Sequence, residues 1–218
     1  MKVISKFLEE VIQGRTQLSK SAAIVGAGLI CEFIILIIDR SWSMAEACGR
    51  KNRLEAAQEA AISLLIARRD KGADDRVAVI AFNEEARIVL PATGCRDEMN
   101  RIERAIRSIK PGSGTDLNAP LRLADSSIPI QEGVHIVLLT DGHGGDPTRL
   151  AESLKQRGAL IDCVGVGAAP ADVDEAILKK TASVLNGQVL YRFIGDGEKL
   201  EQYFREEVAF RLTKRTQP

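Results

Sequence analysis

Residues 32–43 read EFIILIIDRSWS, and this stretch decides the fold. The apolar run 33–38 is short, unbroken and rich in β-branched side chains, which is typical of a strand buried on both faces of a parallel sheet. The run ends at Asp39, so a carboxylate and then the serine hydroxyls follow directly on the predicted strand. Ligands of open parallel sheets bind beyond the carboxyl ends of the strands. The stretch therefore predicts a polar site at the mouth of a parallel sheet.

Strand and helix patterns alternate along the rest of the chain. The strands are predicted over 76–82, 86–90, 134–139, 159–166 and 188–194, and the helices over 54–71, 97–109, 117–126, 147–158, 172–185 and 196–212. Only Asn83-Glu84-Glu85 separates the second strand from the third, and so short a link is typical of a hairpin. We expect a Rossmann-like, doubly wound α/β fold with a mostly parallel central sheet, helices on both faces and one antiparallel edge strand.

The domain is expected to span residues 32–212, between an N-terminal extension (1–31) and a tail (213–218). An amphipathic helix is predicted over 2–13, either docked on the domain's flank or free for a partner or a membrane surface. The apolar segment 22–31 fits an extra strand or a buried helix equally well. Together with the strand that follows, it is shorter than the ~20 apolar residues of a membrane span, so no span is expected.

Composition argues against several classes of function. The 30 basic and 30 acidic residues of the 218-residue chain cancel, and no basic stripe is present that could replace the counterions of a nucleic acid. The cysteines at 31, 48, 95 and 163 lack the paired spacing of a zinc site, and only two histidines could complement them. Such unpaired thiols favour a reducing compartment, and we expect the protein to be cytoplasmic.

Five oxygen-bearing side chains form the candidate site: Asp39, Ser41, Ser43, Thr115 and Asp141. Asp141 follows the predicted strand 134–139, and Thr115 ends the glycine-rich loop 111–115. If the two strands are neighbours, all five can meet in one crevice. Carboxylates and hydroxyls are hard ligands that suit Mg²⁺, Mn²⁺ or Ca²⁺ better than zinc. Glycines at 112, 114 and 142 would let the loops approach closely.

Three blocks at these positions carry a resemblance to a known family. They are Asp39-x-Ser41-x-Ser43-Met44, Gly114-Thr115-Asp116 and Leu138-Leu139-Thr140-Asp141-Gly142. They resemble the metal-ion-dependent adhesion site (MIDAS) of von Willebrand factor A domains, and the resemblance extends over residues 32–212. The chain is similar to small intracellular bacterial members of that family.

The resemblance implies a role for each ligand position. Ser41, Ser43 and Thr115 would bind the metal through their hydroxyl oxygens, and Asp39 and Asp141 would act directly or through water. A glutamate or aspartate of a protein partner would complete the coordination. The family is one of binding modules, which implies that this chain is not an enzyme. Neither the partner nor the oligomeric state is indicated by the sequence.

Neighbouring residues could contact the partner or support the ligands. Trp42 stands where the family usually has a small residue, and we expect it to be covered by the N-terminal extension; the alternative is an exposed anchor for a partner. Arg40 is expected to be a solvated loop charge, or else to pair with an incoming carboxylate. Asp116 could orient a ligand or a water. His143, between Gly142 and Gly144, is expected to lie in a surface loop, where it could contact a partner.

Other functions fit the sequence less well. A metal-dependent phosphatase or phosphotransferase with Asp39 as nucleophile would need a second acid nearby and a lysine, but position 41 is serine and no lysine closely follows Asp141. A dinucleotide-binding turn at Gly26-Ala27-Gly28 lacks its third glycine, because position 31 is cysteine. A scaffold that has lost its metal remains an alternative, although all the ligand positions are intact.

Overall fold

The computed structural model describes residues 32–70, 74–130 and 133–208. The predictions made for the N-terminal extension and for the tail lie outside these residues. The strands are β1 (Phe33–Asp39), β2 (Ala47–Cys48), β3 (Lys51–Asn52), β4 (Arg76–Phe82), β5 (Ala86–Gly94), β6 (Val134–Thr140), β7 (Leu160–Val166), β8 (Val184–Leu185), β9 (Gln188–Val189) and β10 (Tyr191–Ile194). The helices are α1 (Arg53–Asp70), α2 (Met99–Arg107), α3 (Asn118–Ser127), α4 (Thr148–Gln156), α5 (Glu175–Thr181) and α6 (Gly197–Tyr203). Short 3₁₀ segments occupy Trp42–Ala45 and Pro170–Asp172, and a π-helical turn, Phe204–Val208, follows α6.

The central sheet has the strand order β10-β7-β6-β1-β4-β5. All neighbouring strands run parallel except the edge strand β5, which is antiparallel to β4. The link between β4 and β5 is closed by a hydrogen bond of 3.0 Å from Asn83 N to Glu85 O. The predicted fold class, with its single antiparallel edge strand, is confirmed.

Strand β1 lies in the middle of the sheet, and each of its residues is buried. Its alternate side chains enter two apolar clusters because successive residues of a strand point to opposite faces. Ile34, Leu36 and Ile38 pack with α1, α2 and α6 on one face. Phe33, Ile35 and Ile37 pack with α3, α4 and α5 on the other. Burial on both faces explains why the sequence of β1 is continuously apolar rather than alternating.

The register of β1 fixes where the site lies. Ile38 pairs with Leu139 of β6, and Asp39 pairs with Phe82 of β4. The carboxyl ends of β1 and β6 are therefore level and adjacent. Asp39 ends one strand and Asp141 directly follows the other, so the strand order itself brings the two carboxylates to one edge of the sheet.

The chain beyond β7 differs from the prediction. The helix predicted over 172–185 is limited to α5, and β8 and β9 form a small antiparallel hairpin instead of extending the helix and the last strand. The turn between them is Asn186-Gly187, with φ angles of 51° and 77°. Asparagine and glycine tolerate this left-handed conformation, and the pair is a strong hairpin signal. None of the helices in the described ranges is both long enough and apolar enough to cross a membrane.

Candidate metal centre

The loop after β1 folds back on the end of its own strand. Ser41 N donates to Asp39 Oδ1 at 2.7 Å, and Met44 N donates to Ser41 O at 3.0 Å. The Met44 side chain is fully buried under this turn. The two serines of the motif are thereby held on the same side as Asp39, with Ser41 buried and Ser43 partly exposed.

Hydrogen bonds join the two halves of the site. Ser41 Oγ and Ser43 Oγ lie 3.1 Å apart, and Ser43 Oγ donates to Asp141 Oδ2. Asp39 and Asp141 are both buried. The structure therefore brings four of the five candidate ligands into one connected network at the carboxyl ends of β1 and β6.

Thr140 links the same two strands and was missed by the sequence analysis as a site residue. Its Oγ1 donates to Asp39 Oδ2 at 2.6 Å and accepts from Gly142 N at 3.0 Å. Both carboxylate oxygens of Asp39 are thus hydrogen-bonded, one to Thr140 and one to Ser41. The signal in the sequence was a hydroxyl residue immediately before Asp141, level with Asp39 once β1 and β6 are paired.

Thr115 is delivered to the site by contacts between loops. Asp116 N donates to Asn83 O at 2.8 Å, and Leu117 N donates to Gly144 O at 2.9 Å. A Cβ atom on Gly144 would lie 2.7 Å from the Thr115 carbonyl oxygen, so the two backbones touch. Thr115 therefore packs against the loop that follows Asp141. Among the described residues its hydroxyl has no hydrogen-bond partner, so it does not join the network.

The burial of Asp39 has an electrostatic consequence. Removal from water raises the pKa of its carboxyl from the usual 3.8 to about 6, although the hydrogen bonds from Thr140 and Ser41 oppose the shift. The nearby charge of Asp141 raises it further. Two carboxylates in a buried crevice with hydroxyl oxygens form an environment that a cation would stabilise. Within the described ranges no group of three His, Cys, Asp or Glu side chains is arranged to hold a metal ion, so the donors offered here are two carboxylates and hydroxyls.

Arg53, the first residue of α1, brings a positive charge to the site that the sequence analysis did not identify. Its side chain is buried, and Nη1 lies 3.6 Å from Asp141 Oδ2. Nη2 lies 2.8 Å from Glu46 Oε2 and 3.1 Å from Asp172 Oδ2. These three acids come from separate loops, and no local sequence pattern indicates that they share one arginine.

Two neighbouring residues flank Ser41. The Trp42 indole is 73% exposed, and the N-terminal extension that was expected to cover it lies outside the described residues. Arg40 is not a solvated charge: its guanidinium donates to Lys110 O at 3.1 Å and to Asn83 Oδ1 at 2.9 Å, and it covers Gly112. Arg40 therefore fixes the loop that leads to Thr115.

Asp116 and His143 have different surroundings. Asp116 accepts hydrogen bonds from Asn118 N at 2.9 Å and from Arg122 Nη2 at 2.6 Å, at the start of α3. Partial burial acts to raise the pKa of Asp116, but these bonds and the charge of Arg122 outweigh it and lower that pKa below its usual value. His143 is exposed; its backbone N–H donates to Asp141 Oδ1 at 3.2 Å, and its Nε2 lies 3.1 Å from Asp172 O.

Two of the glycines at the site adopt backbone conformations that favour glycine. Gly114 has a φ of 65° and lies against Glu84, so that a Cβ atom there would overlap the glutamate side chain. Gly142 has a φ of 84°, and a Cβ atom would lie 3.1 Å from Asp174 O. Glycine at both positions permits the close approach of loops that the sequence analysis expected.

The chain matches a known protein family. The model of the von Willebrand factor type A domain matches residues 34–143, about half of the chain. An uncharacterized protein of Borreliella burgdorferi is 34% identical over 112 residues, which are 50% of this chain and 32% of that protein. The chain thus matches about a third of the length of this curated relative.

Solved structures share the fold of this chain. The conserved hypothetical protein BatB from Bacteroides thetaiotaomicron is 22% identical, with a TM-score of 0.69 over 84% of this chain and 99% of that one. Proximal thread matrix protein 1 from the mussel byssus, whose structure is described as having a zinc-occupied MIDAS motif, is 18% identical, with a TM-score of 0.66 over 84% of this chain and 46% of that one. The chain belongs to the von Willebrand factor type A domain family.

Proposed function

We propose that the crevice at the carboxyl ends of β1 and β6 binds a divalent cation and, through it, a carboxylate of a protein partner. Domains of this family are generally non-enzymatic modules for protein interaction. The observation that carries the proposal is the single hydrogen-bonded network of Asp39, Ser41, Ser43 and Asp141. These oxygen donors suit Mg²⁺, Mn²⁺ or Ca²⁺.

A cation could take the place of the protons that now join the side chains of this network. The Ser43 hydroxyl, which donates to Asp141, has to turn its proton away before its lone pair can face a metal. The Asp39 carboxyl, whose pKa burial raises to about 6, is stabilised in its ionised form by a nearby positive ion. Thr115 lies beside this network with a hydroxyl that is free of hydrogen bonds within the described part of the chain, and it is the proposed fifth ligand.

A metal held by this set would remain able to accept an external ligand. Serine and threonine hydroxyls are neutral, so only Asp39 and Asp141 offset the charge of the dication. Hard cations favour a further oxygen donor, and a glutamate or aspartate of the partner would supply it. Trp42, exposed beside Ser43, offers an aromatic surface at the rim where a protein partner would make contact.

The enzymatic alternative is less well supported by the geometry. A nucleophilic Asp39 would need an accessible oxygen, but its side chain is fully buried and both of its oxygens accept hydrogen bonds. A phosphate-binding cation would also be needed. Arg53 is the positive charge at this position, and it is already in contact with Glu46, Asp141 and Asp172. A binding role therefore accounts better for the site than phosphoryl transfer does.

Metal titration tests the proposal directly. Mg²⁺, Mn²⁺, Ca²⁺ and Zn²⁺ should each be titrated into the chelator-treated chain while its melting temperature and tryptophan fluorescence are followed. Trp42 is the only tryptophan, so its emission reports on the loop after β1 that carries Ser41 and Ser43. We expect a hard cation to raise the melting temperature and Asp141→Asn to abolish the rise. The matched control is Asp146→Asn, at an exposed carboxylate in the same loop, which should behave as the wild type.

The partner's carboxylate needs a separate experiment. A short peptide with one central glutamate should bind the metal-loaded protein and be released by chelator, whereas its glutamine analogue should not bind. Equal binding of the two peptides, or binding that resists chelation, would place the interaction elsewhere. Release of phosphate from a general phosphoester substrate, lost in Asp39→Asn, would instead support the enzyme.

A further inference from the structure

Arg53 is a buried arginine whose place in the metal centre the ligand motifs do not explain. Its guanidinium is surrounded by Glu46, Asp141 and Asp172. Its side chain is only 4% exposed, and its Nε has no hydrogen-bond partner among the described residues. A buried guanidinium is expensive to desolvate unless its charge is used.

The three contacts of Arg53 are of two kinds. Nη2 forms an ion pair with Glu46 at 2.8 Å and donates a hydrogen bond to Asp172 at 3.1 Å. The contact with Asp141, at 3.6 Å, is too long for one, and the same oxygen, Oδ2, accepts from Ser43 instead. Glu46 and Asp172 therefore hold the guanidinium in place. Asp141 is close enough to interact with the charge of the guanidinium, but it is not hydrogen-bonded to it.

Because the three acids differ in solvent exposure, the charge of Arg53 acts most strongly on Asp141. The Glu46 and Asp172 side chains are 61% and 35% exposed, so water screens their negative charges. Asp141, in contrast, is 1% exposed. Charges interact more strongly where water is excluded. The two screened acids therefore offset the charge of Arg53 only in part.

We propose that Arg53 is a fixed counter-cation of the metal centre, which lowers its affinity for the metal and raises the affinity of the bound metal for a carboxylate. Arg53 offsets part of the negative charge of Asp141, so a dication at the site keeps more of its own charge for an external ligand. This inference rests on the proposed function and assigns the regulation of the same site. Arg53 is a positioning and tuning residue because it reaches the metal only through Asp141.

A purely mechanical role makes the opposite prediction. Arg53 also contacts the loops that follow β1, β6 and β7. If these contacts were its only role, Arg53 would serve to keep the metal ligands in position. Its removal would then weaken metal binding and carboxylate binding together. A counter-cation gives effects of opposite sign, because removing it strengthens metal binding and weakens carboxylate binding. The sign of the change in metal affinity therefore separates the two roles.

The test uses the full chain with Mn²⁺ as the metal and acetate as the carboxylate. Arg53→Gln should bind Mn²⁺ on the order of a hundredfold more tightly, as expected for one charge acting on a dication over about 6 Å at an effective dielectric constant of about 40. Acetate carries a single charge and should bind the Mn²⁺-loaded variant on the order of tenfold more weakly. Arg53→Lys, which keeps the positive charge near Asp141, should remain within about threefold of the wild type in both measurements. Arg50→Gln, at an exposed arginine three residues earlier, is the control.

Glu46→Gln keeps the experiment decisive if Arg53→Gln fails to fold, because Glu46 is exposed. Removing this partner leaves more of the positive charge of Arg53 uncompensated, so the affinity of the site for the metal should fall. A wild-type chain that binds no Mn²⁺ would overturn the proposed function itself. If the wild type binds Mn²⁺, unchanged or weaker binding by folded Arg53→Gln would overturn only the counter-cation role. Unchanged or tighter binding by Glu46→Gln would have the same meaning.

Discussion

Replacing Thr140 by valine would test the hydrogen bonds that hold Asp39 in the site. Thr140 is fully buried, and its hydroxyl bridges Asp39 Oδ2, at 2.6 Å, and Gly142 N, at 3.0 Å. Valine is close to threonine in volume, so the substitution removes both hydrogen bonds without creating a large cavity. We expect the metal-free protein to be destabilised and its metal affinity to fall, because Asp39 loses one of its two donors.

The size of the effect follows from the two bonds. A hydrogen bond to a charged group contributes about 1.5–3 kcal/mol, and a buried N–H left without a partner costs about 1–3 kcal/mol. The two terms are not additive, because Asp39 keeps its bond from Ser41 N and the loop at Gly142 can relax. We therefore expect a loss of about 3 kcal/mol, measured at pH 7.5, where a carboxyl of pKa about 6 is ionised. For a chain of this size the melting temperature should fall by about 6–12 °C.

Urea denaturation of the metal-free protein measures this loss. Thr93→Val is the matched control, since Thr93 is also buried in the central sheet but donates to a neutral acceptor, Pro91 O, at 2.7 Å. Its substitution should lower the free energy of unfolding by only about 1 kcal/mol. Equal effects of the two substitutions, or a loss below about 1 kcal/mol in Thr140→Val, would refute the network as the support of Asp39.

Two further predictions concern the protonation of Asp39 and the packing of Gly144. Because burial raises the pKa of Asp39 to about 6, the metal-induced rise in melting temperature should be complete at pH 7.5 and lost near pH 5, where protons displace the metal. The metal-free protein should gain stability over the same fall in pH, since protonation relieves the buried charge, and Asp39→Asn should remove that gain. Gly144→Ala should cost about 1–3 kcal/mol for its positive φ and, by pushing on Thr115, should also weaken metal binding. Gly133→Ala, at another positive φ but in open space, should show the strain without the change in metal binding.

Much of this site could be predicted because parallel strands end at a common edge. The unbroken apolar run before Asp39 identified β1 as a central strand, and the similar run before Asp141 identified β6. The sequence could not show that β6 and β4 lie on either side of β1, because strand order depends on how the helices pack over the sheet. Once that order is known, the meeting of Asp39 and Asp141 follows from the register.

The residues missed by the sequence analysis depend on contacts between distant segments. Arg53 begins a helix, and its partners come from three loops, so no periodicity indicates that they meet. The hairpin at Asn186-Gly187 is a different kind of error. Its turn signal was present, but the helical pattern before it was extended too far.

The charges at the site connect the proposed metal binding to the stability of the fold. Asp39 is buried, and its hydrogen bonds from Thr140 and Ser41 are not enough to keep its pKa at the usual value. A raised carboxyl pKa means that the ionised form is disfavoured in the folded state, so near neutral pH the metal-free domain carries an uncompensated charge. Arg53 acts on Asp141, the other carboxylate, and so leaves Asp39 to be stabilised by whatever cation enters. On this basis metal binding should contribute to the stability of the domain as well as to partner capture, and removal of the metal should weaken both together.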